Sequence, residues 1–342
     1  MAHLYKHAGN MYDQQKTNRR LTALLVSIFI LYYLALGYGT DVFLLDNDPL
    51  GLIRHTHSGI PYATVFALLL SVLYTMYCLF RGEELVLHSV KKIDRIWWDD
   101  PINRELINVV QEMSLAAGVP MPSVYLVNDY DPNAFSTGWD AKHASIGVTT
   151  GLLEKLSREE LQGVVAHEMA HIRNDDIRLM TLMATLMGAN LVLFAYAHGR
   201  WIQSAGVLRK FVELGRSTVF FPIWLGMMVL APIISRVLTL LIAHEREYQA
   251  DATAAQLTRN PAALVRALEK LDVFAGPTWS ISPGIGHLCV VSPMGKYIQV
   301  DSQGDFQRLH FKTHPPLEKR IDAMKEMGYM KGAQPAHRDE QQ

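Results

Sequence analysis

The segment His167-Glu168-Met169-Ala170-His171 carries two imidazoles four residues apart with a carboxylate between them. On a helix, residues four apart share a face, so both rings can hold one divalent ion. Glu168 lies beside that face, within reach of a water held there. Such a group supports metal-assisted hydrolysis, with Glu168 moving the proton. Catalytic zinc keeps three protein ligands and one open position, so a third ligand must come from elsewhere in the chain. The stretch His244-Glu245-Arg246-Glu247-Tyr248-Gln249-Ala250-Asp251 offers one. Glu247 is the preferred ligand. Asp251 follows it one turn later on the same face and can accept a hydrogen bond from a ligand imidazole, His167 first. Glu245 competes; it lies on another side of the helix and has no Asp four residues on. Two histidines and one carboxylate suit zinc.

The elements that must position these residues can be read in outline. Ser157 with Glu160 three residues later is a capping box opening the motif helix, whose apolar face includes Leu161, Val164, Val165 and Ile172. Upstream, Asp100-Pro101 starts a helix that runs to about Ala117, ended by Gly118 and Pro120. Ser123–Asn128 reads as a strand and Ala134–Thr137 as a short extended stretch. Ala144, Ile146 and Val148 alternate with Ser145, Gly147 and Thr149, the pattern of a half-buried strand. Downstream, Asn260-Pro261 opens a helix to about Phe274. Short strands follow at 287–291 and 297–300, and Pro315-Pro316 begins a last helix that stops near Gly328. The order predicts an α-rich α+β fold with a small β-sheet.

Four windows carry no charged side chain: 21–40, 58–80, 179–197 and 217–235. About 20 apolar residues span a bilayer as a helix, so the chain reads as an integral membrane protein in contact with the lipid bilayer. Pro222 and Pro232 interrupt the fourth window. Outside the windows the charge density is that of an ordinary soluble domain. The expected division is a region of two transmembrane helices (1–80), the first half of a catalytic domain (81–178), a membrane hairpin (179–243), the second half with the third ligand (244–330) and a flexible tail (331–342). Lys16, Arg19 and Arg20 precede the first window, and Arg81, Lys91, Lys92 and Arg95 follow the second, which places the body in the cytoplasm. Arg200, Arg209, Lys210 and Arg216 disagree with a full third and fourth crossing, which leaves a re-entrant hairpin open. Even so, the ligand helices approach the apolar boundary from one side, to within about 12 Å at 1.5 Å per residue. The net charge of −1 excludes a global electrostatic case for nucleic acid as partner. Two cysteines, Cys78 and Cys289, exclude a Cys-rich zinc site and fit free thiols in a reducing compartment.

The text of the chain resembles the HtpX-type membrane metallopeptidases, relatives of the CaaX prenyl proteases. The resemblance rests on Asn133-Ala134-Phe135, VVAHEMAHIRNDD at 164–176, REYQAD at 246–251 and THPPLEKRI at 313–321, and covers about residues 80–330. It implies a gluzincin-type zinc metallopeptidase domain with one zinc ion on His167, His171 and Glu247 and with Glu168 as the base. It further implies polypeptide substrates, damaged or misassembled membrane proteins among them, at a bacterial inner membrane. The family pattern of a His-Pro pair with an Arg six residues later near the zinc makes His314 and Arg320 candidate donors to the oxyanion. Arg320 has a second reading, an ion pair with Asp251. Asn133, Ala134 and Phe135 are candidates to hold substrate as an added strand. Two alternatives stand beside this reading: C-terminal processing of prenylated proteins, and a non-catalytic membrane scaffold with a structural zinc.

Overall fold

The computed structural model describes residues 11–45, 47–48, 50, 59–97, 100, 103–186, 246–274, 276–293 and 314–326. It begins with a pair of long helices, α1 (Met11–Phe43) and α2 (Tyr62–His88). Each contains a stretch long and apolar enough to cross a membrane, with mean hydropathy 2.0. Only 22% and 17% of those stretches are buried, whereas the core helix of a soluble protein is mostly covered. Leu24, Leu31, Phe66, Leu73 and Phe80 face outward. The two helices meet at Gly37, where an added Cβ would stand 2.8 Å from the Thr64 Cα. Asp41, fully buried, accepts from the Thr64 hydroxyl and from the backbone N–H groups of Ala63 and Thr64. It thereby caps the start of α2 from the end of α1.

A four-stranded sheet follows: β1 (Ile93–Ile96), β2 (Ser123–Val127), β3 (Ala134–Asp140) and β4 (His143–Thr149). The spatial order is β1-β2-β4-β3, with β2 and β4 parallel and the other two pairs antiparallel. One face carries Val124, Ala134, Ala144, Ile146 and Val148 into the main core with α3 (Arg104–Ala117), α5 (Arg158–Arg173) and α8 (Pro261–Phe274). A short helix, α4 (Thr150–Lys155), joins β4 to α5. Helices α6 (176–186) and α7 (246–258) come next around the site, and α9 (Leu317–Glu326) closes it.

Several expectations hold and several are corrected. The capping box at Ser157 is present in both directions. Gly118 ends α3 with φ 68°, a left-handed conformation that glycine adopts without cost. That helix starts at Arg104, not at Asp100-Pro101. The Asp100 carboxylate accepts from the backbone N–H and side-chain amide of Asn103, just ahead of the helix. β4 is buried on both faces rather than half-buried. Its small face is covered: the Ser145 hydroxyl donates to Glu83 of α2, and the Phe135 ring lies over Gly147. The expected strand at 287–291 is a 3-10 helix, Pro283–Leu288, opened by Ser282, whose hydroxyl accepts from the Gly284 N–H. Only Cys289 and Val290 retain strand-like contacts, a bridge to Phe135 and a bond from the Val290 N–H to the Ala134 carbonyl. β1 and α4 were not expected. The strand at 297–300, the tail, the fourth apolar window and most of the third lie outside the described residues. The first turns of the third, 179–186, form the rest of α6 and are buried in protein.

Candidate metal centre

α5 places His167 and His171 one turn apart on one face, fully buried. α7 brings Glu247 to them. One donor atom from each of the three residues lies within 4.8 Å of the other two. The His167 Nε2 is 3.6 Å from Glu247 Oε2, and the His171 Nε2 is 3.7 Å from Glu247 Oε1. The far nitrogen of each ring meets a carboxylate: His167 Nδ1 stands 2.9 Å from Asp251 Oδ1, and His171 Nδ1 stands 3.1 Å from Asp176 Oδ2. A carboxylate accepts, so each Nδ1 carries the hydrogen and each Nε2 presents a lone pair. The two Nε2 atoms are 3.3 Å apart. Two lone pairs facing each other at that distance repel, unless a cation lies between them.

The surrounding charges point the same way. Burial lowers the pKa of His171, yet the bond to Asp176 and the charges of Glu247, Asp176 and Glu168 outweigh it and push it up to about 9. The same carboxylates that favour a proton on His171 would favour a metal cation in its place. Burial would raise Glu247, but Arg320 and then His314 hold it well below the usual carboxylate range, keeping it ionised as a ligand must be. Glu247 Oε2 has no well-directed hydrogen bond, although Arg320 Nη1 approaches to 2.8 Å. Glu168 is buried with neither oxygen firmly hydrogen-bonded, although the Ser136 hydroxyl is close enough to favour its charged form. Burial is the main cause raising its pKa, against the lowering pull of the two histidines. Buried polar atoms without partners are rare and signal a missing ligand or ion. The donor set therefore fits zinc held by His167, His171 and Glu247.

Arg320, fully buried on α9, binds Asp251 with two bonds, from Nε at 2.8 Å and from Nη2 at 2.7 Å. Its Nη1 donates to the Val290 carbonyl at 3.0 Å. The ion pair with Asp251, one of its two expected arrangements, is thus present. His314 donates through Nε2 to the Gly286 carbonyl at 2.7 Å, and its Nδ1 lies 3.6 Å from Glu247 Oε1. Asn133, Ala134 and Phe135 are fully buried at the start of β3. The Asn133 side chain donates to the Val291 carbonyl and to Thr278, and Ala134 and Phe135 pair with β4 on one side and 289–290 on the other. Glu245 lies outside the described residues. Asp176 escaped the sequence reading. The clue to it is the Asn174-Asp175-Asp176 run just past the motif, since the second ligand histidine also needs an acceptor.

Comparison with known proteins agrees with the geometry. The sequence profile of Peptidase family M48 matches residues 102–328. The chain is 37% identical over 319 residues to "Protease HtpX homolog" of Caldanaerobacter subterraneus subsp. tengcongensis, covering 93% of this chain and 98% of that one. It is 41% identical over 294 residues to "Protease HtpX homolog" of Tropheryma whipplei, covering 84% and 93%. The crystal structure of S. mikatae Ste24p aligns at TM-score 0.44 with 19% identity, over 91% of this chain and 66% of that chain. Matches that run nearly end to end on both partners settle the placement: the chain belongs to peptidase family M48, as an HtpX-type zinc metalloprotease.

Proposed function

We propose that this protease sits in a bacterial inner membrane with its metal centre facing the cytoplasm and cleaves damaged or misassembled membrane proteins there. The observation that carries the reading is where the basic ends of the two long helices lie. Arg19 of α1 pairs with Asp175 beside the motif helix, and Glu83, two residues after Arg81 in α2, accepts from Ser145 of the catalytic sheet. Both basic flanks thus meet the catalytic body, and basic flanks stay cytoplasmic. The name those relatives share, "Protease HtpX homolog", supports the activity.

Zinc, when bound, lowers the pKa of water and polarises the scissile carbonyl. Glu168, buried and charged only at a cost, takes a proton from the attacking water and returns it to the leaving amine. Asp251 and Asp176 each fix the tautomer of one ligand ring. Arg320 braces Asp251 and Glu247 and, through them, the ligand set. His314 spends its Nε2–H on the Gly286 carbonyl and aims Nδ1 at the site; with Nδ1 also protonated it is the donor to the developing oxyanion. Substrate lies as an added strand on β3 beyond Phe135, where main-chain bonds give little sequence preference. Asn133, Ala134 and Phe135, whose free edge is taken by 289–290, hold the start of β3 in place for it.

The test uses the purified chain in lipid nanodiscs with three substrates: an unfolded membrane protein, a folded soluble protein and a prenylated peptide. Cleavage of the first alone is expected, with the Glu168→Gln variant binding zinc but losing about 10²–10⁴-fold in rate. Selective cleavage of the prenylated peptide would overturn the substrate assignment. Full activity of Glu168→Gln would overturn the base.

A further inference from the structure

Asn18 lies on α1, three residues before the charge-free stretch begins, and is 6% exposed. Its Nδ2 donates to Asp176 Oδ1 at 2.6 Å and to the Asn174 carbonyl at 2.8 Å. Its Oδ1 accepts from Arg246 Nη2 at 2.7 Å, and Arg246 Nη1 reaches Asp176 Oδ1 at 3.0 Å. The other Asp176 oxygen accepts from the ligand His171. One carboxylate is therefore held on one oxygen by the membrane helix and by the residue preceding Glu247, and on the other by the metal ligand. Only a short amide offers two donors and an acceptor from one planar group at this reach. Gln15 and Arg19 extend the clasp. The Gln15 amide donates to the Arg173 carbonyl at 2.8 Å, and Arg19 pairs with Asp175 at 3.1 Å on the surface.

We infer that Asn18 is a positioning residue for the metal centre, acting through Asp176 on the orientation and basicity of His171. It ties the metal affinity of the soluble body to the seating of α1. The inference rests on the zinc site and not on the substrate proposed above. The group that accepts from a ligand imidazole typically changes metal affinity by about 10–100-fold, and Asn18 acts through that group from one bond further out. Asn18→Ala removes both donors and the acceptor. Asn18→Asp keeps the shape and the Arg246 bond but sets an anion against Asp176. Exchange of the two groups, Asn18→Asp with Asp176→Asn, restores one donor–acceptor pair and leaves His171 an acceptor, while the Asn174 carbonyl and Arg246 Nη1 each lose a partner.

The experiment uses the full chain in detergent. Zinc affinity is read by chelator competition, and ligand geometry by the visible spectrum of the cobalt-substituted protein. Asn18→Ala and Asn18→Asp are each expected to weaken zinc binding several-fold, up to about 10-fold, and to shift the cobalt spectrum. The exchange pair is expected to recover part of the loss. Arg19→Ala, which breaks only the exposed part of the clasp, is expected to leave both readouts unchanged. Wild-type affinity and spectrum in folded Asn18→Ala would overturn the inference. So would an equal loss in Arg19→Ala, which would assign the effect to helix docking. Should Asn18→Ala not fold, the isosteric Asn18→Asp and the exchange pair decide it: no loss in the first, or no recovery in the second, overturns it.

Discussion

Arg320 shows how much one buried cation carries. It faces two carboxylates at once, Asp251 through two bonds and Glu247 at 2.8 Å. Arg320→Met should destabilise the protein by about 3–5 kcal/mol, because two buried anions lose their partner. Arg320→Lys should recover little, since an ammonium cannot make the paired bonds. Denaturant unfolding measures both. Acid unfolding of the metal-free protein gives a second check. Burial raises the pKa of Asp251, but Arg320 and His167 more than reverse this, so its carboxyl is held below its ordinary value. Its contribution is complete above that ordinary value and disappears as pH falls through the lowered one. Removing Arg320 raises the folded-state pKa, so the acid-unfolding midpoint of Arg320→Met should move to higher pH. The ligands and Asp251 are legible in the sequence because helical spacing alone sets them on shared faces. Asp176 is legible only to a reader who asks what each ligand's second nitrogen binds. Asn18 is not legible, since nothing local links a residue to a partner 158 positions away.

At the scale of elements, local signals succeed where the chain makes its own partners. Ser157 caps the motif helix through the Glu160 N–H while Glu160 accepts from the Ser157 N–H. Ser157→Ala should cost about 1 kcal/mol in thermal unfolding without changing zinc content. Gly138, at φ 145° with an added Cβ 2.2 Å from the His143 carbonyl oxygen, admits no side chain. Gly138→Ala should distort the hairpin of β3 and β4 and speed amide exchange along it. The alternating pattern of β4 correctly predicted a strand and misjudged its exposure. Small and polar residues usually mark a wet face, but here Ser145, Gly147 and Thr137 leave room for helices. Glu83 of α2 takes the Ser145 hydroxyl, and Thr181 of α6 meets Thr137 at 2.9 Å. The catalytic sheet is thus sandwiched between its own core and the apolar helices. Covering of this kind depends on distant chain and leaves no trace in a local pattern.

Across the whole molecule, the metal ties together α5, α7 and, through Asp176, α1. Stripping it should lower the thermal midpoint, and re-addition of zinc should raise it with the logarithm of free zinc, as expected of a ligand bound only by the folded state. Glu247→Ala should abolish that dependence. The sequence located both long helices and the body they serve, because charge-free windows and basic flanks are one-dimensional signals. Asn18 precedes the charge-free stretch by three residues, a rise of only about 4.5 Å, yet it already touches the ligand's own acceptor. If the substrates are membrane proteins, as proposed above, α1 would serve as a ruler: at ~3.3 Å per residue an extended polypeptide needs only a few residues beyond the lipid to reach the level of Asn18. Proteins that end almost flush with the bilayer, too short for a protease that must first grip a long tail, would then come within range of this one.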